Sequence, residues 1–140
     1  MAEKNPLQRI LASGVVAVMR APSGEVLADV AEALLAGGVE AIEVTFTVPK
    51  AHRVIEQVAD RLGDKIVLGA GTVLDPETAR TAILAGARFI VGPAVNLDVI
   101  RLCRRYSFGC NAALHLPIYN KAHTRYTKLG TAAAEQAIIA

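Results

Sequence analysis

Tryptophan is absent from the chain, and all aromatic residues together make up 4% of it. A basic surface interleaved with aromatics, the usual footprint of a nucleic-acid binder, is therefore missing. The net charge of +2 is too small and too dispersed to supply one. No apolar run reaches the roughly 18 residues that span a bilayer, and the opening MAEKNPLQRI lacks the hydrophobic stretch of a secretory leader. The expected partners therefore include neither nucleic acid nor membrane. Cysteine is scarce: Cys103 and Cys110 stand without a C-x-x-C or metal-type spacing, so two buried, reduced thiols in a cytoplasmic protein are expected. His115 and His123 are eight residues apart, which is no metal-ligand spacing either.

What the chain has in quantity is apolar sequence. Of 140 residues, 53% are hydrophobic and 20% charged, which fits one globular domain with a large buried fraction. The pattern also repeats. LASGVVAVMR begins at Leu11, LAGGVEAIEV at Leu35 and LAGARFIVGP at Leu84, each reading as a helix end, a capping glycine and a β-branched strand. RLGDKIVLGAG, from Arg61 to Gly71, fills the longer gap between the second and third copies. The unit is one strand plus one helix, about 24 residues long. Strands are predicted near 14–20, 40–46, 66–71 and 88–92.

Helices are predicted between the strands from 3.6-residue apolar spacing: Val26, Leu27, Val30, Ala31, Leu34 and Leu35 in one, and Val54, Ile55, Val58, Ala59 and Leu62 in the next. Asp75-Pro76 reads as an N-cap and first turn of a third helix, and Asn96 as the cap of a fourth. Alternating strands and helices imply a parallel sheet covered by helices, either an open doubly wound sheet or a (β/α)8 barrel. No G-x-G-x-x-G follows the first strand, and GAG at 69–71 lacks the third glycine. The near-constant unit favours the barrel, although eight such units need about 190 residues, more than this chain holds. The fold class expected is thus α/β, a partial (β/α)8 barrel of about four units over residues 1–106. A divergent segment follows at 107–140, where the rhythm breaks and 131–140 reads as helix.

In such a barrel the working face lies at the C-terminal ends of the strands. Three polar residues fall there. Glu43 sits inside IEVTFTVP, sharing one strand face with Thr45 while Ile42, Val44 and Phe46 take the other. A carboxylate among such neighbours should have a raised pKa and can shuttle protons near neutral pH. Arg20 ends the first strand in phase with Val16 and Val18, and its planar fork can hold a carboxylate in two bonds. Thr72 follows two glycines and can donate a further hydrogen bond to the same anion. Read locally, Arg20 also fits an exposed strand end, Thr72 a turn cap, and Glu43 an interior ion pair.

At these residues the sequence resembles a known family. VVAVMRA, AGGVEAIEVTFTVP, VLGAGTVLDPE and AGARFIVGPA are similar to segments of the 2-keto-3-deoxy-6-phosphogluconate (KDPG) / 4-hydroxy-2-oxoglutarate aldolases, over about residues 8–106. The resemblance implies a (β/α)8 barrel, usually trimeric, that splits a 2-keto acid into pyruvate and an aldehyde. It implies a lysine Schiff base with no metal or other cofactor, and a small keto acid as ligand. It also implies proton transfer by Glu43 and carboxylate binding by Arg20 and Thr72. The family's fifth strand is not recognisable after Tyr106. No K-x-F-P context surrounds any lysine, Lys121 and Lys128 included, and the phosphate-binding loops of strands seven and eight have no counterpart. Two readings follow. One is an aldolase whose C-terminal part is replaced or lost and which lacks its nucleophile; the other is a non-catalytic half-barrel that binds a keto acid or a partner chain.

Overall fold

The computed structural model describes residues 5–106 and the short strand at 113–114. The chain runs α1 (Pro6–Ser13), β1 (Val16–Met19), α2 (Leu27–Ala36), β2 (Ala41–Thr45), α3 (Ala51–Leu62), β3 (Val67–Gly71), α4 (Pro76–Leu84), β4 (Phe89–Val91), α5 (Leu97–Arg105) and β5 (Ala113–Leu114). All pairings are parallel, and the strands lie side by side in chain order, β1-β2-β3-β4-β5. A doubly wound sheet reverses its strand order at a switch point. This one never does, so it is an arc of a barrel, with four βα units as expected.

The predicted strands fall within two residues of the observed ones. The capping signals also act as read: the Asp75 side chain accepts from the backbone N–H of Thr78 at 2.7 Å with Pro76 at the first helical position, and Asn96 accepts from the N–H groups of Asp98 and Val99. One glycine in each copy of the repeat, at 14, 38, 63 and 86, has a positive φ. The tight return from helix to strand needs that left-handed backbone, which glycine adopts without steric cost.

Two cores lie on opposite faces of the sheet. Ile42, Val44, Leu68, Ala70 and Ile90 face outward and pack with the buried residues of α2 to α5, Cys103 of α5 among them. Ala41, Val67, Phe89 and Val91 face inward and meet Ile10 of α1, with Leu7 and Val16 against them. The second core closes the lower end of the arc. Phe89 is fully buried there, and its ring fills the space where Gly69 has no side chain. Burying such a side chain stabilises the fold by roughly 1.5–3 kcal/mol.

Two elements add to the sequence reading. The first is α1, whose Asn5 side chain accepts from the Leu7 N–H at 2.9 Å. Its Arg9 donates to the carbonyls of Asp64 and Lys65 and to the Glu40 carboxylate. The second is β5, which the sequence reading did not place: Ala113 and Leu114 pair with Ile90 and Val91. Two residues carry no periodicity, and their pairing rests on backbone groups rather than on side-chain type. The expected helix at 131–140, Cys110, His115, His123, Lys121 and Lys128 all lie outside the described residues.

Candidate functional site at the strand ends

Glu43 projects from the middle of β2 onto the inner face, and the residue is 3% exposed. In register it stands beside Val18 of β1 and Gly69 of β3. From there the carboxylate leans toward the C-terminal ends of the strands and over Gly71, where an added Cβ would overlap Oε1. Gly71 is glycine because the carboxylate occupies that space.

The environment of this carboxylate is unusual. Its Oε1 is buried and has no hydrogen-bond partner among the described residues. Burial penalises the charged form and pushes the Glu43 pKa up to about 6, while the positive charge of Arg20 pulls it back by a smaller amount. An interior ion pair would satisfy both oxygens and hold the pKa low. Neither condition is met, so the structural reading of Glu43 as a satisfied buried ion pair fails.

Arg20 immediately follows β1. Met19 pairs with Val44, so continuing the register by one residue sets Arg20 beside Thr45. Arg20 is exposed, and no hydrogen bond or ion pair holds its guanidinium among the described residues. It therefore acts on Glu43 through the field alone and keeps its donor fork free. Thr72 follows the last residue of β3 and takes a φ of 58°. A β-branched residue rarely enters that region, and such strain is a feature of sites where the surroundings dictate a residue's position.

Arg20, Glu43 and Thr72 thus come from three adjacent strands and gather at one end of the arc. The chemistry available is a cationic fork and a hydroxyl for an anion, beside a carboxyl poised to take or give a proton near pH 6. Sequence reasoning missed the role of Gly71 as the space for the carboxylate. It also missed a bond between the Thr45 and Thr47 hydroxyls, 2.6 Å apart. The alternating T-F-T of IEVTFTVP is the signal that could have suggested it.

Lysine is scarce near this end. Among the described residues only Lys50 and Lys65 occur. Both are exposed, and Lys65 ends the 3-10 turn before β3, at the opposite end of that strand. A separate open groove of about 450 Å³ lies between the loop after β1 and the start of α3, lined by Ser23, Gly24, Lys50 and Arg53 among others. None of Arg20, Glu43 or Thr72 lines it. Among the described residues no group of three or more His, Cys, Asp or Glu side chains is placed to hold a metal ion, and no helix is long and apolar enough to cross a membrane.

Comparison with known proteins agrees with the fold. The family described as "KDPG and KHG aldolase" matches residues 7–115. The 2-dehydro-3-deoxy-phosphogluconate aldolase of Treponema pallidum is 38% identical over 97 residues, covering 69% of this chain and 44% of that protein. The 2-dehydro-3-deoxy-6-phosphogalactonate aldolase of Escherichia coli is 34% identical, covering 71% and 50%. The chain thus spans about half the length of the curated relatives it matches. Among solved structures, KDPG aldolase from Legionella pneumophila, with pyruvate captured as a covalent carbinolamine, superposes with a TM-score of 0.68 at 27% identity, over 92% of this chain and 59% of that one.

Proposed function

Because the chain belongs to the KDPG and KHG aldolase family, we propose that the strand ends form the keto-acid site of a Schiff-base aldolase. The substrate class is a 2-keto-3-deoxy-6-phospho sugar acid or 4-hydroxy-2-oxoglutarate, cleaved to pyruvate and an aldehyde. Glu43 is the proton-transfer group, and Arg20 and Thr72 bind the carboxylate of the keto acid. The observation that carries this reading is the buried Glu43 carboxylate with its unpartnered Oε1 and a pKa near 6. A group in that state exchanges protons readily near neutral pH, as the passage between imine and enamine requires. The family resemblance extends the reading to a metal-independent, cytoplasmic homo-oligomer, trimeric in form.

A Schiff base also needs an amine nucleophile whose pKa is lowered by its surroundings and which stands beside the acid–base group. The exposed positions of Lys50 and Lys65 favour a second reading for the chain by itself, a half-barrel that binds keto acid without cleaving it. Borohydride trapping with pyruvate, followed by peptide mass measurement, separates the two. Weak pyruvate binding with no adduct is the expected result. A stoichiometric adduct on Lys121 or Lys128 would show that the C-terminal segment supplies the nucleophile. In binding measurements Arg20→Ala should abolish pyruvate binding and Glu43→Gln should largely spare it. Equal losses from both would mean that these roles are wrong.

A further inference from the structure

The Thr45 and Thr47 hydroxyls have a direction. Thr45 is completely buried on the Glu43 face of β2, and its only side-chain hydrogen-bond partner among the described residues is Thr47 Oγ1. Thr47 is exposed. If Thr47 donated to Thr45, the Thr45 proton would be left inside the protein with no acceptor, a costly arrangement for a buried donor. If Thr45 donates to Thr47, the remaining proton sits on Thr47, where solvent or a ligand can take it. The second arrangement satisfies both groups.

The turn fixes where that proton goes. The Val48 N–H donates to the Thr45 carbonyl at 3.0 Å and the Phe46 N–H to the Gly71 carbonyl at 2.8 Å, so residues 45–48 fold back beside the end of β3. Thr45 pairs in register with Gly71, the residue under the Glu43 carboxylate. On its other side stands Arg20, one residue beyond the Met19–Val44 pair. Thr45 therefore lies between Arg20 and Gly71, the residue before Thr72, and the Thr47 hydroxyl stands 2.6 Å from the Thr45 hydroxyl.

From this placement we infer that Thr45 and Thr47 form a one-way hydroxyl relay, in which Thr45 orients Thr47 and Thr47 donates a hydrogen bond to the carboxylate of the bound keto acid. The inference rests on the keto-acid reading of the site and adds a third donor to it. Thr47 is a ligand-binding residue, and Thr45 is a positioning residue that acts through it.

The test is calorimetric titration of the full chain with pyruvate and with neutral pyruvamide, in wild type, Thr47→Val, Thr47→Ser and Thr45→Val. Thr47 is exposed, so valine there is tolerated, and the serine variant restores the hydroxyl. Thr47→Val should bind pyruvate about tenfold more weakly, the value of one hydrogen bond to a charged acceptor, and should change pyruvamide binding less. Thr47→Ser should stay near wild type. Thr45→Val should show a smaller loss with the same preference for pyruvate over pyruvamide. Unchanged pyruvate affinity in Thr47→Val, or equal losses for the acid and the amide, would overturn the relay while leaving the keto-acid site standing. Absence of pyruvate binding in the wild type would overturn both.

Discussion

A methyl group on Gly71 would stand inside the Glu43 carboxylate, which makes the two residues a coupled pair across adjacent strands. Gly71→Ala should destabilise the fold by about 1–3 kcal/mol, the usual cost of overpacking a filled interior. In a Glu43→Ala background the same substitution finds empty space, and the cost should largely vanish. A double-mutant cycle by urea unfolding reads this coupling directly; additive effects would mean that the carboxylate does not occupy that position. Glu43 itself was legible because a lone carboxylate interrupts a β-branched run. Gly71 was not, since a glycine that makes room for a neighbour looks the same in sequence as one that makes a turn.

At the scale of elements, Arg9 adds hydrogen bonds to the apolar contacts that hold α1 against the sheet. The Arg9 guanidinium reaches the carbonyls of Asp64 and Lys65 and the Glu40 carboxylate, and its side chain is 17% exposed. These bonds join the first helix to the start of β2 and to the turn before β3, beneath the Ile10–Phe89 core. Arg9→Ala should cost about 1 kcal/mol, the net value of the bonds it removes, since water can reach the exposed carbonyls of Asp64 and Lys65. Denaturant unfolding gives the value, and an effect within about 0.5 kcal/mol would place α1 outside the cooperative unit. The β1 to β4 strands and the helices between them were legible because each repeats one signal: apolar spacing, a capping residue and a left-handed glycine. The α1 helix is one short segment outside that rhythm. The β5 strand pairs over two residues and leaves no pattern to read.

For the whole molecule, the sequential parallel order β1-β2-β3-β4-β5 is what assembles the site. Adjacent parallel strands bring Arg20, Glu43 and Thr72 to one end. The barrel was legible from the constant repeat and from the lack of a dinucleotide-type glycine pattern. The inner face remains accessible at β1, where Val18 is 53% exposed beside the buried Glu43. This fold holds Glu43 as a buried carboxyl whose Oε1 has no partner among the described residues, and linkage turns that burial into a pH dependence of stability. The folded-state pKa, about 6, lies above the ordinary value of 4.5. Between these values the folded chain binds more protons than the unfolded chain, so stability falls as pH rises through the window. Below it the group is protonated in both states and exerts no penalty; above it the full penalty, about 1–2 kcal/mol, is present. Glutamine is neutral throughout. Urea unfolding of wild type and Glu43→Gln at a series of pH values from 4 to 7.5 measures the difference. Glu43→Gln should gain about 1–2 kcal/mol over wild type as pH rises from 4.5 to 6.5, and should keep that gain above it. A difference that stays constant with pH, or that opens in favour of the wild type, would contradict it.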